Sequence, residues 1–113
     1  MSNKTICLIP ARGGSKRVKN KNIKKLYGKP LIQRVIENAK NSKRFKEIYV
    51  STDSIKIKKL ALKFGAKVPF IRSKKLSNDR ATIKDVINDF IKRVIKDKRD
   101  KINIFVLYPT SIF

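Results

Sequence analysis

Residues 5–16 read TICLIPARGGSK, a short apolar run that leads directly into a loop rich in glycine and basic side chains. The run at 5–9 is partly β-branched and is ended by Pro10, which predicts a buried strand. If strands and helices alternate after it, this strand belongs to a parallel sheet and the loop lies at one edge of that sheet. The rest of the chain is therefore read for that alternation.

Apolar residues at helical spacing predict three helices, near 30–41, 57–64 and 86–95. Further short apolar runs predict strands at 48–50, 68–71 and 102–107. Ser54 or Asp53 can cap the second helix, and Gly65 can end it. The order is strand, long loop, helix, and then strands and helices in alternation, which predicts an α/β fold with a mostly parallel sheet covered by helices on both faces.

Ligands of such sheets bind beyond the carboxyl ends of the strands. The segments that leave those ends are 10–22, 51–54 and 108–113, so we expect the binding site among them. The chain stops shortly after its last strand, where a parallel unit normally continues with a covering helix. We therefore interpret residues 1–113 as the N-terminal part of a larger domain; a complete four-stranded domain is the alternative.

Composition excludes several classes of function. The chain has 113 residues, 41% of them hydrophobic, with no histidine and one cysteine, Cys7. The absence of histidine excludes catalysis by histidine and metal sites ligated by histidine. A single cysteine excludes an intramolecular disulfide and favours a reducing cytoplasm. No apolar run approaches the roughly 20 residues of a membrane span. Cys7 itself lies inside a predicted strand, which indicates a buried structural thiol.

The charge is the least specific feature. Thirty Lys and Arg residues against eight Asp and Glu give a formal net charge of +22. Such a charge suits a polyanionic partner, nucleic acid included. Most lysines, as in 55–60 and 91–96, occupy the polar positions of amphipathic patterns, which favours solvated faces instead. A nucleic-acid-binding module predicts basic residues on one face with exposed aromatics between them, and the few aromatics lie in apolar runs.

The loop after the first strand has the chemistry of a phosphate site. Gly13 and Gly14 let the backbone approach an anion, and Ser15 adds a hydroxyl donor. Arg12 can bind phosphate oxygens bidentately and Lys16 adds a point charge. The segment matches neither G-x-G-x-x-G nor G-x-x-x-x-G-K-[ST]. Phosphate binding and a solvated basic loop both stay open on these residues.

The motif IPARGGSK at 9–16, followed by KNI at 21–23, resembles the N-terminal signature of the acylneuraminate cytidylyltransferases. Further similar segments follow in the same order: GKPLI at 28–32, VSTDS at 50–54, FGAKVPFIR at 64–72 and YPTS at 108–111. The resemblance implies a Rossmann-like nucleotidyltransferase fold. It also implies the transfer of CMP from CTP to a nonulosonic acid, with release of pyrophosphate and usually with Mg²⁺.

The same resemblance implies roles for individual residues. Lys21 and Arg12 are the expected catalytic residues, with Lys21 stabilising charge at the α-phosphate and on the leaving pyrophosphate. The expected nucleotide-binding residues are Ala11, Arg12, Gly13, Gly14, Ser15, Lys16, Lys21, Asn22, Arg72 and Ala81. The expected sugar-binding residues are Tyr108, Thr110 and Ser111.

Three departures from the family pattern refine the expectation. Tyr108 stands where the sialic acid enzymes commonly have Gln, which leans toward the pseudaminic acid branch, and Ser73 replaces the usual Pro. The family's metal-binding aspartates and dimerisation segment correspond to positions beyond residue 113, so Mg²⁺ ligands and a homodimer are expected only of a full-length relative. Asp53 is interpreted as a cap or turn residue, and Asp85 and Asp89 as solvated carboxylates, rather than as metal ligands.

Overall fold

The computed structural model describes residues 4–12, 25–26, 29–73, 82–95 and 101–109. Strand β1 spans Lys4–Pro10, and two-residue strands β2 and β3 follow at Lys25–Leu26 and Lys29–Pro30. Helix α1 (Leu31–Ser42), strand β4 (Glu47–Ser51), helix α2 (Ile55–Lys63), helix α3 (Ile83–Val94) and strand β5 (Ile102–Val106) complete the described elements. In this part of the chain, no helix is long and apolar enough to cross a membrane.

Strands β4, β1 and β5 form a parallel sheet in that order, so the first strand of the chain is the central one. The predicted α/β fold with a parallel sheet is confirmed. Strands β2 and β3 form a separate antiparallel pair inside the segment that was expected to be loop. Two-residue strands are too short to produce a periodic signal in the sequence, which is why they were missed.

The helices cover both faces of the sheet. Cys7 and Ile9 of β1 point to the face on which α1 and α2 pack, whereas Ile6 and Leu8 point to the face that holds Phe90 of α3. This alternation follows from the two-residue repeat of a strand. Strand β5 departs from the expected covering, because the side chain of Phe105 is 53% exposed.

The predicted strand at 68–71 is wrong. Isolated parallel bridges, Tyr49 to Lys67 and Thr52 to Ile71, replace it at the outer edge of β4. The Lys67 backbone bonds to the two residues of β4 that flank Tyr49, donating to the Ile48 oxygen at 2.8 Å and accepting from the Val50 nitrogen at 2.9 Å. Pro69 has no N–H to donate, so a continuous ladder cannot form through it.

Three helix boundaries are fixed by caps. Ser54 caps α2 by accepting from the Ile57 nitrogen at 3.3 Å, which confirms one of the two residues predicted for this role. Gly65 adopts a φ of +97° after α2, where the Ala66 nitrogen donates to the Ala61 oxygen at 2.9 Å, as in a Schellman motif. Asp85, expected to be merely solvated, forms a capping box with Thr82 at the start of α3.

The amino-terminal edge of the sheet is held by one carboxylate. Glu47, at the start of β4, forms ion pairs with Lys67 at 2.8 Å and with Lys4 of β1 at 3.2 Å. It also accepts a hydrogen bond from the Tyr49 hydroxyl. The bonds from Lys67 and Tyr49 lower the pKa of Glu47 to about 2, with a smaller contribution from Lys4. This cluster lies at the end of the sheet opposite to the expected binding site.

Candidate functional site

The carboxyl ends of the parallel strands meet at one edge, as expected. Beyond β1 and β4 the Ala11 nitrogen donates to the Ser51 oxygen at 2.9 Å, which extends the pairing by one residue. Strand β4 lies on one side of β1 and β5 on the other, so the chain reverses its winding direction between β1 and β5. Such a switch point is where open α/β sheets bind ligands.

Arg72 is the most unusual residue of this edge, because its side chain carries a charge and the residue is only 4% exposed. Its backbone nitrogen donates to the Thr52 oxygen at 2.8 Å, which fixes Arg72 beside the end of β4. Burial lowers the pKa of Arg72, and the neighbouring charge of Arg12 lowers it further. The carboxylates of Asp53 and Asp89 act in the opposite direction, Asp53 more strongly.

Charged groups from four segments therefore converge on this edge. Arg12 follows β1, Asp53 follows β4, Arg72 follows the bridged segment, and Asp89 projects from α3. Two guanidinium groups near each other repel, and the repulsion is relieved when an anion binds between them. Chemically, the arrangement can bind an anionic ligand such as a phosphate.

The segment that follows β4 is polar and well ordered by its own bonds. Thr52 is fully buried, and its Oγ1 accepts from the Ser54 nitrogen at 3.1 Å, which leads the chain into α2. Ser51 is 4% exposed, and its Oγ has no hydrogen-bond partner among the residues that the structure describes. From its position between Thr52 and Ser54, the Asp53 carboxylate raises the pKa of Arg72.

The structure describes part of the predicted site. It places Arg12 and Arg72 together at the carboxyl edge and leaves Tyr108, just beyond β5, 44% exposed. Ala11 is buried among the side chains of the α1 and α2 face. The other predicted site residues lie outside the described residues: Gly13, Gly14, Ser15, Lys16, Lys21, Asn22, Ala81, Thr110 and Ser111.

Sequence reasoning missed the grouping of Asp53, Asp89 and Arg72. A pattern based on polarity assigns arginine to the surface, and no spacing links an aspartate of α3 with a loop that follows β4. The sequence offers one signal for this part of the site, the polar segment 51–54 directly after an apolar strand. It indicates a binding loop but does not show which charged residues meet there.

The described residues contain no group of three or more Cys, Asp, Glu or His side chains that could hold a metal ion. The Asp53 and Asp89 carboxylates both raise the pKa of the buried Arg72, and Asp89 also forms an ion pair with Arg93 at 3.0 Å. These two carboxylates therefore face guanidinium groups, which compete with Mg²⁺ for the carboxylate oxygens.

Two other features are separate from this edge. Cys7 is fully buried, and burial raises the pKa of its thiol to about 11, so it is a packing residue as predicted. A pocket of about 730 Å³ lies between α1 and β5, with Phe45, Phe105 and Leu107 in its wall and Arg44 at its rim. Neither contributes a charged group to the Arg12 and Arg72 cluster.

Known proteins match this chain over most of its length. A family model described as cytidylyltransferase matches residues 6–98. A pseudaminic acid cytidylyltransferase of Campylobacter jejuni is 45% identical over 108 residues, covering 96% of this chain and 47% of the relative. A CMP-N,N'-diacetyllegionaminic acid synthase of Legionella pneumophila is 41% identical over 111 residues, with the same two shares. An N-acylneuraminate cytidylyltransferase of Streptococcus agalactiae is 41% identical over 110 residues, which are 96% of this chain and 25% of the relative.

Among solved structures, a CMP:2-keto-3-deoxy-manno-octonic acid synthetase complexed with CTP superimposes with a TM-score of 0.73 at 28% sequence identity. The superposition covers 94% of this chain and 40% of that one. The fold is therefore the nucleotidyltransferase fold that the resemblance implied. The chain spans less than half of the length of these relatives.

Proposed function

The chain belongs to the cytidylyltransferase family, and we propose that it forms the N-terminal, CTP-binding part of an enzyme that transfers CMP from CTP to a nonulosonic acid. The observation that carries the proposal is that Arg12 and the buried Arg72 both lie at the carboxyl edge of the sheet, where the neighbouring Ala11 bonds to Ser51 and Arg72 bonds to Thr52. A nucleoside triphosphate offers phosphate oxygens to Arg12 and a base beside Arg72, and the edge is where this fold class binds nucleotides.

In the proposed reaction, the anomeric hydroxyl of the sugar attacks the α-phosphorus of CTP in line. A bond forms between that oxygen and phosphorus, the bond from phosphorus to the bridging oxygen breaks, pyrophosphate leaves and the hydroxyl proton is released. Such transfers depend chiefly on positioning and on neutralising negative charge. Arg12, Ser15, Lys16, Lys21 and Asn22 hold the triphosphate, with Lys21 stabilising the α-phosphate and the leaving group.

The remaining parts of the site divide between the base and the sugar. Arg72 and Ala81 border the cytidine, while Tyr108, Thr110 and Ser111 face the acid sugar. The exposure of Tyr108 beyond β5 supports this placement, because the side chain can reach a ligand at the switch point. A tyrosine at this position, together with the relative from Campylobacter jejuni, makes pseudaminic acid the first substrate to test.

Several properties of the full-length enzyme belong to the same proposal. The Mg²⁺ ligands lie outside the described residues, as the resemblance implies, and so does the segment that forms a homodimer. The enzyme works in the cytoplasm, where a single buried cysteine stays reduced and CTP is available.

Two alternatives make different predictions. A non-catalytic nucleotide-binding remnant binds CTP without turnover. A basic nucleic-acid-binding module needs cations on one face, whereas the described basic side chains of α2 and α3, such as Lys56, Lys59 and Lys92, are exposed on helices that cover opposite faces of the sheet. That distribution favours the solvated-face interpretation of the +22 charge.

Calorimetric titration with CTP tests the proposal directly. The parent chain is compared with Arg12→Ala and Lys21→Ala, and with Lys59→Ala as a control that removes one exposed cation from α2. We expect the first two variants to weaken CTP binding about tenfold or more, since charge-assisted hydrogen bonds each contribute about 1.5–3 kcal/mol, and the control to change it little. Absence of CTP binding together with tight, salt-sensitive DNA binding would reject the transferase.

Turnover then separates the enzyme from the remnant. The full-length polypeptide is incubated with CTP, Mg²⁺ and either pseudaminic or sialic acid, and pyrophosphate release is measured. Release that depends on the sugar supports the transferase, while CTP binding without release with either sugar supports the remnant.

A further inference from the structure

We propose that Asp53 is a positioning residue, which holds the buried guanidinium of Arg72 in the orientation that the nucleotide requires. The inference rests on the proposed function for its ligand, because Arg72 is assigned there to the cytidine. It goes further by giving a role to an aspartate that sequence reasoning treated as a cap or turn.

The backbone places the two residues side by side. Thr52 bridges to Ile71 in parallel, and the Arg72 nitrogen donates to the Thr52 oxygen at 2.8 Å. Asp53 follows Thr52 directly, so the aspartate and the arginine leave the same hydrogen-bonded position at the end of β4. Their spacing is set by the sheet edge rather than by flexible side chains.

The burial of Arg72 makes an anionic neighbour necessary. Arg72 is 4% exposed as a residue, so its side chain has lost hydration, and a buried charge without a partner costs several kcal/mol. Among the described residues, the Asp53 carboxylate raises the pKa of Arg72 more than that of Asp89 does, while the Arg12 guanidinium lowers it. Without Asp53, repulsion from Arg12 would be poorly balanced.

The competing roles of Asp53 are filled by other residues or lack support. Ser54, not Asp53, accepts the capping hydrogen bond of α2 at 3.3 Å. Asp53 belongs to no group of three or more Cys, Asp, Glu or His side chains that could hold a metal ion in the described part of the chain.

Asp89 cannot take over the same task in full. Its carboxylate accepts from Arg93 Nε at 3.0 Å, within one turn of α3. The Arg93 guanidinium in turn lies over the Phe70 ring at 4.9 Å from its centroid. Asp89 is therefore already engaged in a surface ion pair, so Asp53 is the better placed of the two described carboxylates that act on Arg72.

The test is a double-mutant cycle on CTP binding, with Asp53→Asn, Arg72→Met and the double variant measured by calorimetry at constant ionic strength. Asp85→Asn is the charge-matched control, since it also removes one carboxylate, from an exposed residue at the start of α3. We expect Asp53→Asn to weaken CTP binding about tenfold, the scale of a lost charge-assisted contact. In the Arg72→Met background we expect it to change binding less than about twofold.

Equal weakening in both backgrounds would overturn the proposal, because a general structural effect does not depend on Arg72. Unchanged binding in Asp53→Asn would overturn it as well. Asp53→Glu keeps the charge on a longer side chain, and we expect it to recover part of the affinity. If Asp53→Asn does not fold by circular dichroism, Asp53→Glu takes its place in the cycle, with a smaller coupling expected.

A parent chain that does not bind CTP would reject the proposed function rather than the contact. The same four proteins are then unfolded in urea. Coupling between Asp53→Asn and Arg72→Met in unfolding free energy supports the hold of Asp53 on Arg72, and additive effects overturn it.

Discussion

Replacing Glu47 by Gln should destabilise the fold in a strongly pH-dependent manner. The substitution keeps the shape of the side chain and an oxygen that can accept from the Tyr49 hydroxyl. It removes the charge that pairs with Lys67 at 2.8 Å and with Lys4 at 3.2 Å. The variant therefore isolates the electrostatic part of the cluster at the amino-terminal edge of the sheet.

The magnitude is bounded by two considerations. The fall of the pKa of Glu47 from 4.5 to about 2 corresponds to roughly 3 kcal/mol as an upper limit, at about 1.36 kcal/mol for each pH unit. The Lys67 side chain is 59% exposed, so water and salt screen much of that interaction. With about 0–1 kcal/mol for each partly exposed pair, we expect a loss of about 1–2 kcal/mol at pH 7.

The direction with pH follows from the lowered pKa. The ionised carboxylate stabilises the folded chain in full above its unfolded pKa, and this contribution is lost as the pH falls through the folded pKa near 2. The free energies of unfolding in urea of the parent and of Glu47→Gln should therefore differ at pH 7, and the difference should shrink between about pH 5 and pH 2.

Asp85→Asn at the start of α3 provides the control, since it removes one carboxylate charge that is hydrogen-bonded to Thr82 rather than to a cation. We expect its effect to be smaller and less dependent on pH. An equal loss for Glu47→Gln at pH 7 and at pH 2, or no loss at pH 7, would refute the electrostatic explanation.

Other substitutions test the core and the buried polar groups. Ser51→Ala removes a buried hydroxyl that has no partner in the described structure. In thermal unfolding it should leave the free energy of unfolding unchanged or raise it by about 1 kcal/mol. Thr52→Ala removes an acceptor of a backbone N–H and should lower the free energy of unfolding. A clear loss in Ser51→Ala would show that the hydroxyl is satisfied. Phe90→Ala empties a fully buried site that contacts the Tyr49 ring, and it should lower the free energy of unfolding in urea by about 3–5 kcal/mol. Phe105→Ala, at a half-exposed residue, should lower it less. Similar losses for the two variants would contradict the assignment of Phe90 to the core. Cys7, with its pKa raised to about 11 by burial, should resist iodoacetamide at pH 8 in the native chain and react in urea; rapid native labelling would disprove its burial.

The elements that were predicted well are those with a long periodic pattern. Helices α1, α2 and α3 present apolar residues at helical spacing, and β1 and β4 are nearly continuous apolar runs. The segment at 68–71 was wrongly predicted because its apolar residues suggest a strand while Pro69 interrupts the ladder. An apolar pattern shows the secondary structure that one segment favours by itself. The bridges of this segment to β4 also depend on the residues of β4, so the pattern could not predict them.

The site shows the same division. The glycines and cations after β1 could be recognised from the sequence because phosphate binding requires those residue types within one loop. The order of the strands, and with it the switch point between β1 and β5, depends on pairing across the whole chain. The burial of Arg72 beside Asp53 likewise results from packing, since a polarity pattern assigns both residues to the surface.

The central position of β1 has a consequence for how the protein is made. Lys4 of β1 pairs with Ile102 of β5. At ordinary rates of synthesis, β1 therefore leaves the ribosome roughly 5–20 s before β5. During that time one hydrogen-bonding edge of β1 is open, and nascent chains can join along it. Charge repulsion between chains that each carry +22 opposes such joining. The lysine excess, which says little about the ligand, therefore works against association through the open edge of β1.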